Sequence, residues 1–190
     1  MARRVEFEFD PFEIAGVDKS QLPATVVRQV LDDVGEYVVN SVLEDTANQR
    51  SAVDGSKFQK LSPEYKKKKV ALGGSPVPNL ELSTDMLSSL KVIKRGSNLT
   101  LTVGASEQDK ADGHNNHSGD SRIPTRRFIP LAEEDGGFRP AITKGIQDIV
   151  EIAFEDFKQN SSESTGTVTK YSIEDILEKG LTVKLKGFLD

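Results

Sequence analysis

His114 and His117 stand three residues apart in a Gly- and Asn-rich stretch, with Asp112 and Asp120 close by. Imidazole and carboxylate together are metal ligands, so a metal centre is the first chemistry to weigh. Such a site needs three or four donors held by regular elements. No third ligand stands at a recognisable spacing, so the segment reads as a polar loop, with no metal and no cofactor expected. Tyr65 precedes four lysines, Lys66, Lys67, Lys68 and Lys69, with Lys57, Phe58 and Lys60 upstream. Cations beside an aromatic ring suit phosphate and base stacking. Four consecutive side chains point around a helix, however, so at most two share a face. Arg122, Arg126 and Arg127 flank Ile123-Pro124 and lead into Phe128. Their planar guanidinium groups suit pairing with carboxylates across an interface. The signatures of nucleophilic, phosphate-binding, dinucleotide and zinc-hydrolase sites (G-x-S-x-G, the P-loop, G-x-G-x-x-G, H-E-x-x-H) are all missing. No catalytic residue is expected.

Charge explains why these cations read as contacts between subunits. The formal net charge of the 190-residue chain is -5, which opposes general attraction to nucleic acid. Lys57 to Lys69 contain six lysines against one glutamate, a local balance of +5. Asp32, Asp33, Glu36, Glu44 and Asp45 form a purely acidic counterpart. Opposed patches of this kind suit electrostatic docking. The absence of cysteine removes disulfides, thiolate metal sites and a cysteine nucleophile. The N-terminus lacks the apolar run of a signal peptide, and no run approaches the roughly 20 residues that span a bilayer. Synthesis and retention in a cytoplasm, with no membrane partner, are the expectation.

Period-two and period-3.6 patterns define the elements that must position these groups. Val5, Phe7 and Phe9 alternate with charged residues as a strand that Pro11 ends; the stretch to Gly16 reads as a loop. Val27, Val30, Leu31, Val34, Val38, Val42 and Leu43 form one stripe of a helix over about 21–48, with Ser20 as its cap and Pro23 in its first turn. Residues 49–78 read as a long excursion carrying a short basic helix, capped by Ser62, opened by Pro63 and broken at Gly73-Gly74. Ser83-Thr84-Asp85 cap a helix with Met86, Leu87 and Leu90. A hairpin turns at Gly96-Ser97, with Leu99, Leu101 and Val103 facing inward. Residues 105–121 read as an exposed loop. Ile142, Ile146, Ile149, Val150, Ala153 and Phe157 predict a second long helix over about 140–160. A Ser/Thr/Gly linker then leads to a short helix and an alternating strand, Leu181, Val183 and Leu185. About 30 residues cannot bury a core alone, so this arm packs on the main domain or on a neighbour.

The expected fold class is therefore α+β. Two long amphipathic helices pack on an antiparallel sheet of about four to five strands, with a long basic excursion and a small C-terminal arm. The main domain covers 1–160 and the linker with its arm 161–190.

Three segments resemble the phage virion morphogenesis family. Gly55-Ser56-Lys57-Phe58-Gln59-Lys60-Leu61-Ser62-Pro63-Glu64-Tyr65 and the lysines after it are similar to its Gly, aromatic, Leu and Tyr-Lys-rich helix start. Pro78-Asn79-Leu80-Glu81-Leu82-Ser83-Thr84-Asp85-Met86-Leu87-Ser88-Ser89-Leu90 resembles its Met-Leu-x-Ser-Leu helix. His114-Asn115-Asn116-His117-Ser118-Gly119, then Ile123-Pro124-Thr125-Arg126-Arg127-Phe128-Ile129-Pro130-Leu131, is similar to its His-x-x-Gly loop and Ile-Pro-x-Arg-x-Phe-Leu-Gly-Leu segment, with Pro130 in place of the family's Gly. The likeness runs over about residues 20–158, with the elements between the segments in the same order.

The resemblance implies a non-enzymatic virion protein of a tailed bacteriophage, assembled in the host cytoplasm. It would form an oligomeric ring at the neck that completes the tail or joins head and tail. Its partners would be further copies of itself, portal or head-completion proteins, and tail-terminator or tail-tube proteins, with passive contact to DNA in the lumen. A tail-terminator or head-closure role in the same region is the nearest alternative. A DNA-binding accessory protein using the lysine run is the alternative of another class, and a hydrolase the least supported. The basic excursion and the acidic face of the first helix are the expected complementary patches.

Overall fold

The computed structural model describes residues 4–80, 85–115, 124–131 and 137–163, with side chains as far as 161. Among these residues the fold is α+β, with six α-helices and one antiparallel sheet of three strands. The strands are β1 (Glu6–Phe9), β2 (Lys91–Arg95) and β3 (Asn98–Thr102), in the order β1-β3-β2. Phe7 lies opposite Leu101, which lies opposite Val92, so these three share one face of the sheet. The hairpin turns at Gly96-Ser97 as predicted, with Gly96 at φ 63°. A residue with no Cβ adopts that left-handed conformation without strain.

β3 is the centre of the sheet, and its composition shows it. Leu99, Leu101 and the following Val103 are buried as expected, but so are Thr100 and Thr102 on the opposite face. The Thr102 hydroxyl donates to the Val5 carbonyl (3.0 Å), and the Val5 N–H donates to Gln108 Oε1 (2.7 Å). The expected count of about four to five strands is not met among the described residues. One predicted strand, 181–185, lies outside them with the rest of the arm.

Two helices of 24 residues cover the sheet: α2 (Ala24–Ala47) and α6 (Pro140–Glu163). Val30, Leu31, Val34, Val38 and Val42 of α2 meet Ile142, Ile146 and Val150 of α6 in the common core. Phe138 closes one edge, standing edge-on to Phe7 (5.2 Å) and Phe9 (5.4 Å). α2 begins three residues later than predicted. Pro23 is its cap position, and Ser20 instead belongs to a separate 3-10 turn, Lys19–Gln21, capped by Asp18. Where α2 crosses α6, Gly145 faces Tyr37, whose hydroxyl donates to the Ala141 carbonyl (3.3 Å). A Cβ on Gly145 would overlap the Tyr37 hydroxyl and ring.

Two predicted loops are helices. Residues after β1 form α1 (Pro11–Ala15), with Asp10 Oδ1 accepting from the Phe12 N–H (2.9 Å) and Gly16 closing it at φ 66°. Five residues are too few for a hydrophobic period, which is why the stretch read as a loop. In place of the exposed loop after 105, a 3-10 turn (Ala105–Glu107) runs into α5 (Gln108–Asn115). α5 has no apolar stripe. Burial of Ala111, Asp112 and Asn115 holds it against its own weak propensity. The other predicted helices are present, as α3 (Pro63–Ala71) and α4 (Asp85–Ser88), although the residues expected to cap α4, Ser83 and Thr84, lie outside the described residues.

The crossing makes a signed prediction. Gly145→Ala should destabilise the wild-type fold by roughly 1–3 kcal/mol through overpacking. In a Tyr37→Ala background the same change should stabilise by about 1 kcal/mol, because Ala exceeds Gly in helix propensity. Urea denaturation of the four proteins of the cycle checks it; equal effects in both backgrounds would refute the contact.

Candidate subunit interface

The excursion that carries α3 is tied down at its base. Residues 50–57 close a tight loop in which Arg50 and Lys57 pair and the Phe58 N–H donates to the Gln49 carbonyl (2.7 Å). Ser51, Ala52 and Phe58 are buried there. Arg139 secures it from α6. Its N–H donates to the Ala52 carbonyl (2.9 Å), and its guanidinium grips Asp45 through Nε–Oδ2 (2.5 Å) and Nη2–Oδ1 (2.9 Å). Asp45, counted with the acidic run, is 3% exposed and belongs to this clamp rather than to a free surface.

α3 starts as its sequence dictates. The Ser62 hydroxyl accepts from the Tyr65 N–H (3.2 Å), Pro63 occupies the first turn, and Lys68 and Lys69 sit at the favourable negative end of the helix dipole. Its four lysines split between two roles. Lys69 is 3% exposed, and its ammonium donates to the Val77 carbonyl and to Asn79 Oδ1, both at 2.7 Å. Gly74 leaves room for the Lys69 stem, since a Cβ there would stand 2.9 Å from Lys69 Cγ. Lys66, Lys67 and Lys68 are exposed, as are Lys57 and Lys60. Tyr65 (39%), Val70 (52%) and Leu72 (61%) are also exposed.

The acidic side of α2 borders a groove. Leu31, Gly35 and Val39 recur every four residues along its floor, with Val92 of β2 opposite. Asp32, Glu36 and Asn40 form one rim and Lys94 the other, around a volume of about 290 Å³. Asp32 pairs with Lys94, whereas Glu36 is exposed and has no ion-pair partner among the described residues. Asp33 accepts from Gln29 Nε2 (2.8 Å); burial raises its pKa above the usual carboxylate value, and the charges of Asp32 and Glu36 add to that. The structure does not bring α3 to this groove within one chain: no α3 residue lines it.

The remaining predicted residues are mostly internal. Phe128 is fully buried in the core, and Arg126 is 4% exposed. Neither offers free surface on the chain. Arg126 donates from Nη2 to the Gln59 carbonyl (3.3 Å) and from its backbone N–H to the His114 carbonyl (2.7 Å), while its buried Nε has no partner. Arg127 is half-buried. His117 and Arg122 lie outside the described residues. Asn115 organises this segment. Its Oδ1 accepts from the N–H groups of Phe128 (2.9 Å) and Ile129 (3.0 Å), and its Nδ2 donates to the Ile129 carbonyl (2.8 Å). One side-chain amide thus takes the place of a strand partner for residues 128–129.

His114 is half-buried with no partner for Nδ1. Burial first, then the nearby charges of Arg126 and Lys69, lower its pKa to about 4. Among the described residues no three of His, Cys, Asp and Glu converge as metal ligands. No helix among them is long and apolar enough to cross a membrane. Sequence reasoning missed Val70 and Leu72 on α3, and Gly35, Val39, Val92 and Lys94 in the groove. A glycine inside the valine stripe of α2 was the available signal for the groove. Compared with protein-family models, curated proteins and solved structures, the chain matches none.

His114 sets a pH dependence. Its folded pKa lies below the unfolded value of 6.5, so the unfolded chain binds the proton first as pH falls. The stability this group contributes is complete above pH 6.5, falls as pH drops through that window, and is exhausted below about 4. The loss should amount to at most about 3 kcal/mol. His114→Gln should remove that part of the acid sensitivity, read as the difference between wild-type and variant unfolding free energies at pH 7 and at pH 4; parallel losses in the two proteins would refute it.

Proposed function

We propose that the chain is a structural, non-enzymatic subunit of a tailed-bacteriophage virion. Several copies form a ring at the neck that completes the tail or joins head and tail. The observation that carries this reading is where the described chain leaves its large apolar side chains exposed. Tyr65, Val70 and Leu72 all lie on or at the end of one lysine-rich helix, which stands on an excursion tethered at its base. Single exposed apolar residues are ordinary; Tyr65 and Leu72, seven positions apart, fall on one side of this projecting element, the kind of placement an association surface needs. The resemblance of three segments to the phage virion morphogenesis family supplies the kind of assembly. The flanking partners in this reading are portal or head-completion proteins on one side and tail-terminator or tail-tube proteins on the other. DNA passes through the lumen without being gripped.

Lys66 to Lys68 beside Tyr65 also favour a second reading, a DNA-binding accessory protein. It predicts an affinity for duplex DNA that falls steeply with salt. The net charge of -5 weighs against it.

Electron microscopy of particles made with and without the protein tests the neck assignment. Filled heads and finished tails that stay separate in its absence are the expected outcome. Normal joined particles without it would end the neck reading.

A further inference from the structure

We propose that α3 of one copy seats in the α2–β2 groove of the next, so that the ring grows through a heterologous contact. This deepens the assembly reading above and rests on it. Tyr65 and Lys68 of α3 and Leu72, the residue that ends it, recur at spacings of three and four, so they share one side of the helix. Seven residues of helix make that stripe roughly 10 Å long. The groove floor from Leu31 to Val39 spans nine residues, and its eight helical rises cover roughly 12 Å of α2. The groove thus matches the stripe in length, and its floor of Leu31, Gly35, Val39 and Val92 matches the apolar ends of that stripe, Tyr65 and Leu72.

Charge fixes the pairing. Lys68 sits between the two apolar ends of the stripe, and Glu36 sits midway along the groove rim as a carboxylate with no ion-pair partner among the described residues. Lys66 and Lys67 extend the positive field around α3, while Asp32 and Asp33 extend the negative field of α2. Two α3 helices meeting each other would oppose lysine to lysine, so a symmetric α3–α3 contact is disfavoured. Donor and acceptor are different patches, which makes each contact leave one of each free. Such contacts close into a ring or run on as a filament. One short helix in one groove lies at the small end of stable interfaces. The contact should therefore be weak between two free copies and gain strength through ring closure, where each subunit is held at both sides.

The chain contains no cysteine, which makes disulfide trapping specific. Leu72→Cys and Asn40→Cys are prepared separately in the full chain, one with a size tag, then mixed and oxidised mildly. Both positions are exposed. The expected product is a covalent dimer containing one of each. Lys68→Glu in the first protein should lower its yield several-fold, and Glu36→Lys in the second should restore it. A dimer of the Leu72→Cys protein with itself in place of the mixed product would overturn the proposal, as would the absence of any cross-link in the mixture. So would a yield indifferent to Lys68→Glu, because that marks collision without docking. Loss of the cross-link on adding duplex DNA, with salt-sensitive DNA binding through α3, would assign that helix to nucleic acid instead. Failure of the neck reading is recognised separately, by joined particles lacking the protein.

Discussion

β3 has a hydrogen-bonded neighbour on each edge and buried side chains on each face, and the remaining elements depend on that double enclosure. Its leucines meet the valines of α2 and the isoleucines of α6 in the shared core. Thr102 anchors Val5 by donating to its carbonyl and the start of α5 by accepting from Gln108 Nε2. Truncating a leucine buried as fully as Leu99 or Leu101 costs about 2–5 kcal/mol, a large part of the 5–15 kcal/mol by which a domain is normally stable. A sheet with only one doubly paired strand among the described residues has little redundancy. The long helices therefore act as its cover and not merely as its neighbours.

Buried cations form the second layer of organisation. Arg139 clamps Asp45, Lys69 fastens the end of α3 to Val77 and Asn79, and Arg126 reaches the Gln59 carbonyl. Each tie holds part of the excursion between α2 and β2. The Arg139–Asp45 pair is bidentate and nearly dry, the geometry in which removing one partner is costly because the other charge stays buried. Arg126 is less well served, with one long hydrogen bond and an unpartnered Nε. Burial of His114, with the charges of Arg126 and Lys69 added, lowers its pKa to about 4. The basic character of this region is thus partly internal wiring, and only the lysines pointing away from it make up a surface.

Pattern alone revealed the elements long enough to repeat. α2 and α6 each carry five or more apolar residues on one stripe, and the hairpin carries both its alternation and its Gly96-Ser97 turn. α1 and α5 escaped because a helix of five or eight residues held by caps and tertiary burial has no period to detect. α5 is the plainer case: Asp112 and Asn115 read as loop residues, yet both are buried. Lysine type in turn says nothing about direction. Lys69 looks like its three neighbours in sequence, and only the fold turns it inward. The interface candidates divide on the same ground. Lys66 to Lys68 and Glu36 are surface because of their place on a helix, whereas Phe128 and Arg126 follow a segment that Asn115 draws into the core.

The placement of exposed apolar side chains then bears on how the proposed subunit would avoid pairing with itself through like faces. Tyr65 and Leu72 on one side of a small helix give a patch too small to drive strong association alone, and the lysines around them keep copies apart wherever like faces meet. The same lysines favour approach to an acidic groove, so repulsion in one orientation and attraction in another come from one set of charges. Gly35 contributes on the acceptor side. A Cβ at this position would stand 3.4 Å from Val92 Cγ1, in ordinary contact, so Val92 lies directly against the helix here. That close approach draws β2 against α2 at the middle of the groove and leaves Leu31 and Val39 at its ends.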